Sequence, residues 1–286
     1  MIDKSTNKLA NKIVNAFLKN KIISPLPTKY TKKISNAQKF RKLCESKINR
    51  PISGFKAAGT GFPVLKKLKE KEPFYASVYS RNVLKNGKSV KINKSTLGIE
   101  LEVCYKIKRS FCSSKGIITM KNISKYISHI APCIEVVGYR QRKKGITSFG
   151  DLCSDFGANI KFLIGSKKKY KKINVGNLKT NISNRKINQS VNGNTNTVYI
   201  NPLNSLRFVL NKVKKDKKNL NKDFWVFTGS SVGVVPIKGK GIFIGKIDKL
   251  GSVNSITLEF LAVVSITFPT NPLSFIADMF FLILSS

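Results

Sequence analysis

Residues 98–107 read GIELEVCYKI, an apolar, strand-forming run that carries two glutamates one residue apart. Residues two apart in a strand point to the same face, so Glu100 and Glu102 project together, about 7 Å apart along the chain. Two carboxylates on one face repel, and burying them unpaired is costly. The chain can ill spare them, having 14 acidic residues against 53 basic ones. Two explanations fit the spacing. An alternating strand with one polar face would leave both glutamates in solvent beside lysines. A divalent cation would supply the missing positive charge, since hard cations such as Mg²⁺ take carboxylates together with water and oxygen-rich ligands. A third acid, Glu135 in APCIEVVGYR (131–140), also sits in an apolar, strand-like run.

Working outward, helical periodicity covers residues 5–20 and about 33–48, and PISGFKAAGT (51–60) turns the chain to strand-type sequence. A short helix is expected at 63–70. Two alternating runs within 74–93 flank Asn86-Gly87, a hairpin signal. A helix is expected around 121–130, which would include His129, before the strand bearing Glu135. The polar stretches 166–174 and 184–197 predict an exposed β-hairpin turning at Asn192-Gly193. Asn201-Pro202 opens a capped amphipathic helix with Leu206, Val209, Leu210 and Val213 on one face. Three further strands follow. Helices early, strands late and no βαβ alternation predict an α+β fold. We expect a single domain over 1–260, helical to about residue 50 and β-rich beyond. Residues 261–286 contain no lysine or arginine. Their last apolar run is shorter than the roughly 20 residues that span a bilayer, so no membrane anchor is expected.

The formal charge of +39 raises the question of nucleic acid, but only eight of the 53 basic residues are arginine. Lysines spread along the whole chain give solvated point charges rather than bidentate phosphate readers, and no zinc spacing or RNA-binding motif is present. A specific nucleic-acid role is not expected, although weak adhesion to polyanions is. The five cysteines are never spaced CxxC and accompany a single histidine, so free thiols in a reducing cytoplasm are expected instead of a zinc site. The N-terminus has no uninterrupted apolar stretch of the kind a secretory signal needs.

The blocks ISPLP (23–27), GFKAAGT (54–60), EPF (72–74), GIELEVCYKI, APCIEVVGYR, SDFGANIKFLIG (154–165), NPLNSLRFVLN (201–211) and WVFTGSSVGVVPI (225–237) stand in a distinctive order and spacing. In this the chain resembles the 2-keto-4-pentenoate hydratase/4-oxalocrotonate decarboxylase family of the fumarylacetoacetate hydrolase superfamily, over roughly residues 5–260. The resemblance implies a mixed β-roll core behind N-terminal helices, and a homo-oligomer. It also implies Mg²⁺ or Mn²⁺ held by Glu100, Glu102 and Glu135, with a small 2-oxo acid as substrate. Lys56 falls on the family's catalytic lysine, and Thr228, Gly229, Arg140 and Asp155 on positions lining the substrate. The implied reaction is hydration of a 2-hydroxydienoate; decarboxylation or C–C hydrolysis of a 2-oxo acid is the alternative. A non-catalytic member, or a basic nucleic-acid-binding protein on the same scaffold, is the alternative of another class. The chain departs from the family pattern at Arg81, Gly138-Tyr139, Phe156 and Lys240, so the metal triad is better supported than water addition.

Overall fold

Helix α1 (Lys4–Lys19) starts where the Asp3 carboxylate accepts the Thr6 amide at 2.8 Å. It stops at Asn20, which adopts the left-handed conformation suited to a C-terminal cap. The computed structural model describes residues 3–141 and 146–260. Helix α2 (Ile34–Ser46) packs against α1, burying Ala10, Ile13, Phe17, Phe40 and Cys44 between them.

The chain then enters β1 (Ile52–Ala58), the short helix α3 (Phe62–Lys67) and the strands β2 (Phe74–Tyr79), β3 (Val83–Lys85) and β4 (Ser89–Ile92). The long strands β5 (Thr96–Ile107) and β6 (Ile127–Gly138) follow, then α4 (Phe149–Ser154), β7 (Asn159–Ile164) and β8 (Lys168–Lys169). The hairpin β9 (Lys179–Asn184) and β10 (Gln189–Asn194) precedes α5 (Pro202–Lys215). The described chain closes with β11 (Phe224–Ser230), β12 (Phe243–Ile247) and β13 (Gly251–Phe260). The fold is the expected α+β mixture.

Eight strands form one mixed sheet in the order β2-β1-β11-β5-β6-β7-β3, with β8 added to β6. Five form a second sheet, β10-β9-β12-β13-β4. Along β5, Ile99, Leu101, Val103 and Tyr105 point into the main core, which they share with Val253 and Phe243 of the second sheet and Leu206, Val209 and Leu210 of α5. Cys104 points the other way, into a separate cluster with Cys133, Phe162 and Phe227. Both faces of β5 are therefore covered, and the glutamates at even positions share the second face.

Three local expectations fail, each for a tertiary reason. Asn86-Gly87 closes no hairpin: β3 pairs in parallel with β7, and β4 in parallel with β13, so the turn sends the chain from one sheet to the other. Asn192-Gly193 lies inside β10, opposite Asn181 and Thr180, and the hairpin instead turns through Arg185–Ile187 and the left-handed Asn188. The helix expected at 121–130 is one 3₁₀ turn, Ile123–Tyr126, followed directly by β6. Ile123, Tyr126, Ile127 and Ile130 have helical spacing, but all four are buried in the main core by this turn-then-strand path. His129 accordingly lies on a strand, opposite Lys106. All five cysteines are free thiols, as expected. No helix among the described residues is long and apolar enough to cross a membrane. The apolar tail at 261–286 lies outside the described residues.

Candidate metal centre

Strands β5 and β6 run antiparallel with Glu100 directly opposite Glu135 and Glu102 opposite Cys133. Directly opposed residues share a face, so this register alone gathers the three carboxylates. One oxygen from each lies within 4.8 Å of the others. Glu102 and Glu135 are fully buried, and Glu100 is partly open to solvent, giving the centre one accessible side.

The neighbouring strand secures the arrangement. The β11–β5 register slips between Phe227 and Ser230, and this irregularity aims the Gly229 amide at Glu102 Oε2, 3.0 Å away. Gly229 has φ of +104°, and a Cβ there would stand 2.0 Å from Thr60 Oγ1. Only glycine serves at that position. Thr228 donates its hydroxyl to Val103 O at 2.7 Å, and its own carbonyl accepts from Ser205 at 2.7 Å, stitching β11 to β5 and α5.

Lys56 comes from β1, three strand spacings from β6, or about 14 Å on a flat sheet. Curling of the sheet and the long lysine arm close that gap: Nζ donates to Glu135 Oε1 at 2.5 Å and to Gly157 O at 2.9 Å. The stacked rings of Phe162 and Phe227, 4.1 Å apart, floor the site, and the ammonium lies 5.9 Å from the Phe162 ring.

The electrostatics follow from burial. Loss of solvation pushes the Glu100 carboxyl up to about 8, aided by repulsion from Glu135 and opposed by Lys56. Burial likewise raises Glu102 to about 7, with Lys56 and the Gly229 amide pulling it down. Glu135 is driven well above the usual carboxylate range by burial, against the pull of Lys56. Burial disfavours charge on Lys56 too, but the three carboxylates, Glu135 foremost, outweigh it and hold the ammonium above its ordinary range. One cation thus faces three acids. Oε1 of Glu102 and Oε2 of Glu135 are buried with no hydrogen-bond partner, an arrangement that native interiors avoid unless something fills it. An all-oxygen donor set with buried, unpartnered oxygens suits a hard divalent cation.

Of the positions expected to meet substrate, Lys56 stands at the carboxylates, and Thr228 and Gly229 border them, with their donors engaged by Val103 and Glu102. Arg140 and Asp155 instead pair with each other at 2.8 Å, both essentially without solvent exposure. They brace the Phe156–Ala158 turn that carries Gly157. Sequence reasoning missed Gly157, because a main-chain carbonyl leaves no signature in residue type. It also missed Phe162 and Phe227, which look like any other strand aromatics.

No family model matches the sequence, and no curated protein matches it. Among solved structures, the chain is similar to 4-oxalocrotonate decarboxylase from Pseudomonas putida G7 complexed with magnesium and adipate. The TM-score is 0.75 at 17% identity, covering 90% of this chain and 98% of that one. The same enzyme complexed with calcium and acetate gives 0.72, also at 17% identity and over the same shares of both chains. The 5-carboxymethyl-2-hydroxymuconate delta-isomerase from Mycobacterium smegmatis gives 0.50 at 10% identity, over 74% and 82% of the two chains. The fold is the one that the sequence blocks led us to expect.

Proposed function

We propose that the protein is a divalent-metal-dependent lyase that releases CO₂ from a small 2-oxo acid. The observation that carries this is the carboxylate triad with its unpartnered buried oxygens, set against a single buried lysine. Glu100, Glu102 and Glu135 would hold Mg²⁺ or Mn²⁺. Bound there, the metal would polarise the 2-oxo group and stabilise negative charge developing on its oxygen.

The protein's own groups do the rest. Gly229 fixes Glu102 in a binding orientation, and Gly157 holds Lys56 beside Glu135. Phe162 and Phe227 keep that side of the site dry, which strengthens every charge interaction in it. Decarboxylation breaks one C–C bond, and the electron pair passes through the conjugated chain to the 2-oxo oxygen as CO₂ departs. Lys56, held as the ammonium, is placed to stabilise that oxygen and to give it a proton from Nζ.

Hydration, the reaction implied first by the sequence blocks, ranks second here. It requires a base to activate water, and the Lys56 amine is already engaged as a donor to Glu135 and to the Gly157 carbonyl. The similarity in fold to a decarboxylase points the same way.

Calorimetric titration with Mg²⁺ and Mn²⁺, followed by CO₂ release from 4-oxalocrotonate and dienol loss from 2-hydroxypenta-2,4-dienoate, tests the proposal. We expect saturable metal binding that Glu102→Gln abolishes, and metal-dependent CO₂ release faster than dienol hydration. Absent binding, or binding unchanged in Glu102→Gln, would overturn it. Hydration outpacing CO₂ release would reverse the order of the two reactions.

A further inference from the structure

Three consecutive residues just outside the carboxylate site adopt the left-handed conformation: Phe156 (φ 54°), Gly157 (φ 70°) and Ala158 (φ 60°). Two of them carry side chains that disfavour it. Such backbone persists only where its surroundings over-determine it, and it gathers at functional sites.

The surroundings here are explicit. Arg140, buried to 1% exposure, reaches both ends of the turn. Its Nη1 donates to Asp155 Oδ1 at 2.8 Å and to Asp155 O at 3.3 Å, and its Nη2 donates to Asn159 O. Its main-chain N–H donates to Asp155 Oδ2 at 2.8 Å. Asn159 Nδ2 donates back to Phe156 O at 2.7 Å, and Ala158 N to Asp155 O at 2.9 Å. The guanidinium lies 4.9 Å from the Phe17 ring, which in turn packs on Phe156. The carbonyls of residues 155, 156 and 159 are thereby all engaged within the clamp. The carbonyl of Gly157 is turned outward from it, towards Lys56 Nζ.

We propose that Arg140 is a positioning residue for Lys56: by spanning Asp155 and Asn159 it locks the left-handed turn whose Gly157 carbonyl fixes the Lys56 ammonium beside Glu135. A guanidinium suits this task because its planar fork serves two ends at once, which an ammonium cannot. The inference rests on the function proposed for Lys56, but its test needs no substrate.

The test is competitive acetylation of the intact chain with acetic anhydride, read residue by residue by mass spectrometry. Lys56 is 3% exposed and should label slowly in the unaltered protein. In Arg140→Met we expect Lys56 labelling to rise by about tenfold or more, as local opening becomes easier. Lys161, on the strand that leaves the turn, should keep its rate. Arg140→Lys should fall between the two proteins. Unchanged Lys56 labelling overturns the proposal. A parallel rise at Lys161 also overturns it, because Arg140 would then support the fold at large. Should Arg140→Met fail to fold, Arg140→Lys keeps a cation for Asp155 but cannot also span to Asn159 O, and the same two outcomes decide. A wild-type chain that turns over neither acid would count against the proposed reaction, and the labelling result would stand apart from it.

Discussion

Replacing Glu102 by Gln should stabilise the metal-free protein at alkaline pH while removing its affinity for the metal. Folded Glu102 keeps its proton to about pH 7, whereas an ordinary glutamate loses it near 4.5. Between those values the folded state binds more protons than the unfolded state, so stability falls as pH rises. Above the folded value the full penalty is in place. It comes to about 3 kcal/mol, because each tenfold change in proton affinity is worth about 1.4 kcal/mol. Glu100, pushed up to about 8, acts in the same direction. Glutamine can still accept from Gly229 and escapes this penalty. At pH 5 the folded Glu102 carboxyl is neutral and resembles the amide, and only about 1 kcal/mol of the penalty has built up, so the two proteins should unfold close together. At pH 8 in chelator, the variant should melt roughly 5–10 °C higher, given the size of the domain. Adding Mg²⁺ to a hundredfold excess over its dissociation constant should stabilise the wild type by about 2.7 kcal/mol and leave the variant unmoved. Scanning calorimetry at pH 5, 6.5 and 8, with and without Mg²⁺, reads all of this. Parallel pH profiles for the two proteins would refute the burial and crowding of these carboxylates.

Other consequences are simpler to measure. Lys56→Met should cut turnover by about 100-fold or more, as loss of a positioned acid does; metal affinity, followed by calorimetry, should hold or rise because a competing cation is gone. Gly229→Ala places a Cβ 2.0 Å from Thr60 Oγ1 at φ +104°; chemical denaturation should show a loss of about 2–3 kcal/mol, with weaker Mg²⁺ binding as the amide leaves Glu102. Asn201→Ala removes the cap that accepts the Asn204 amide at 3.0 Å and should destabilise by about 1 kcal/mol in the same assay, with metal affinity intact.

The sequence made the strands visible but not their depth. GIELEVCYKI announces a strand and puts Glu100 and Glu102 on one face, yet a solvated face and a buried one produce the same alternation. What distinguishes them is the pairing of β5 with β6 and β11, and of β6 with β7, which brings in Glu135, Gly229 and the floor of Phe162 and Phe227 from distant parts of the chain. Turn chemistry misled in a comparable way. Asn86-Gly87 and Asn192-Gly193 satisfy every local rule for a hairpin, but the partners of the flanking strands are chosen by sheet packing. Ile123, Tyr126, Ile127 and Ile130 have helical spacing and are buried without forming an α-helix, because a 3₁₀ turn running into a strand with a register slip brings all four to the same core. Block order located Arg140 and Asp155, and only the folded structure reveals that they bond to each other. The α+β class, by contrast, depends on periodicity over long segments, the early helices and the one opened by Asn201-Pro202 above all, and was readable.

The most direct measurement is an anomalous difference map from crystals soaked in Mn²⁺, which stands in for Mg²⁺ and scatters anomalously. A single strong peak among the carboxylates of Glu100, Glu102 and Glu135, with Lys56 still beside Glu135, is the expected result. A map without density there at saturating Mn²⁺, or with the ion bound only elsewhere on the chain, would contradict the metal centre on which the proposed chemistry depends.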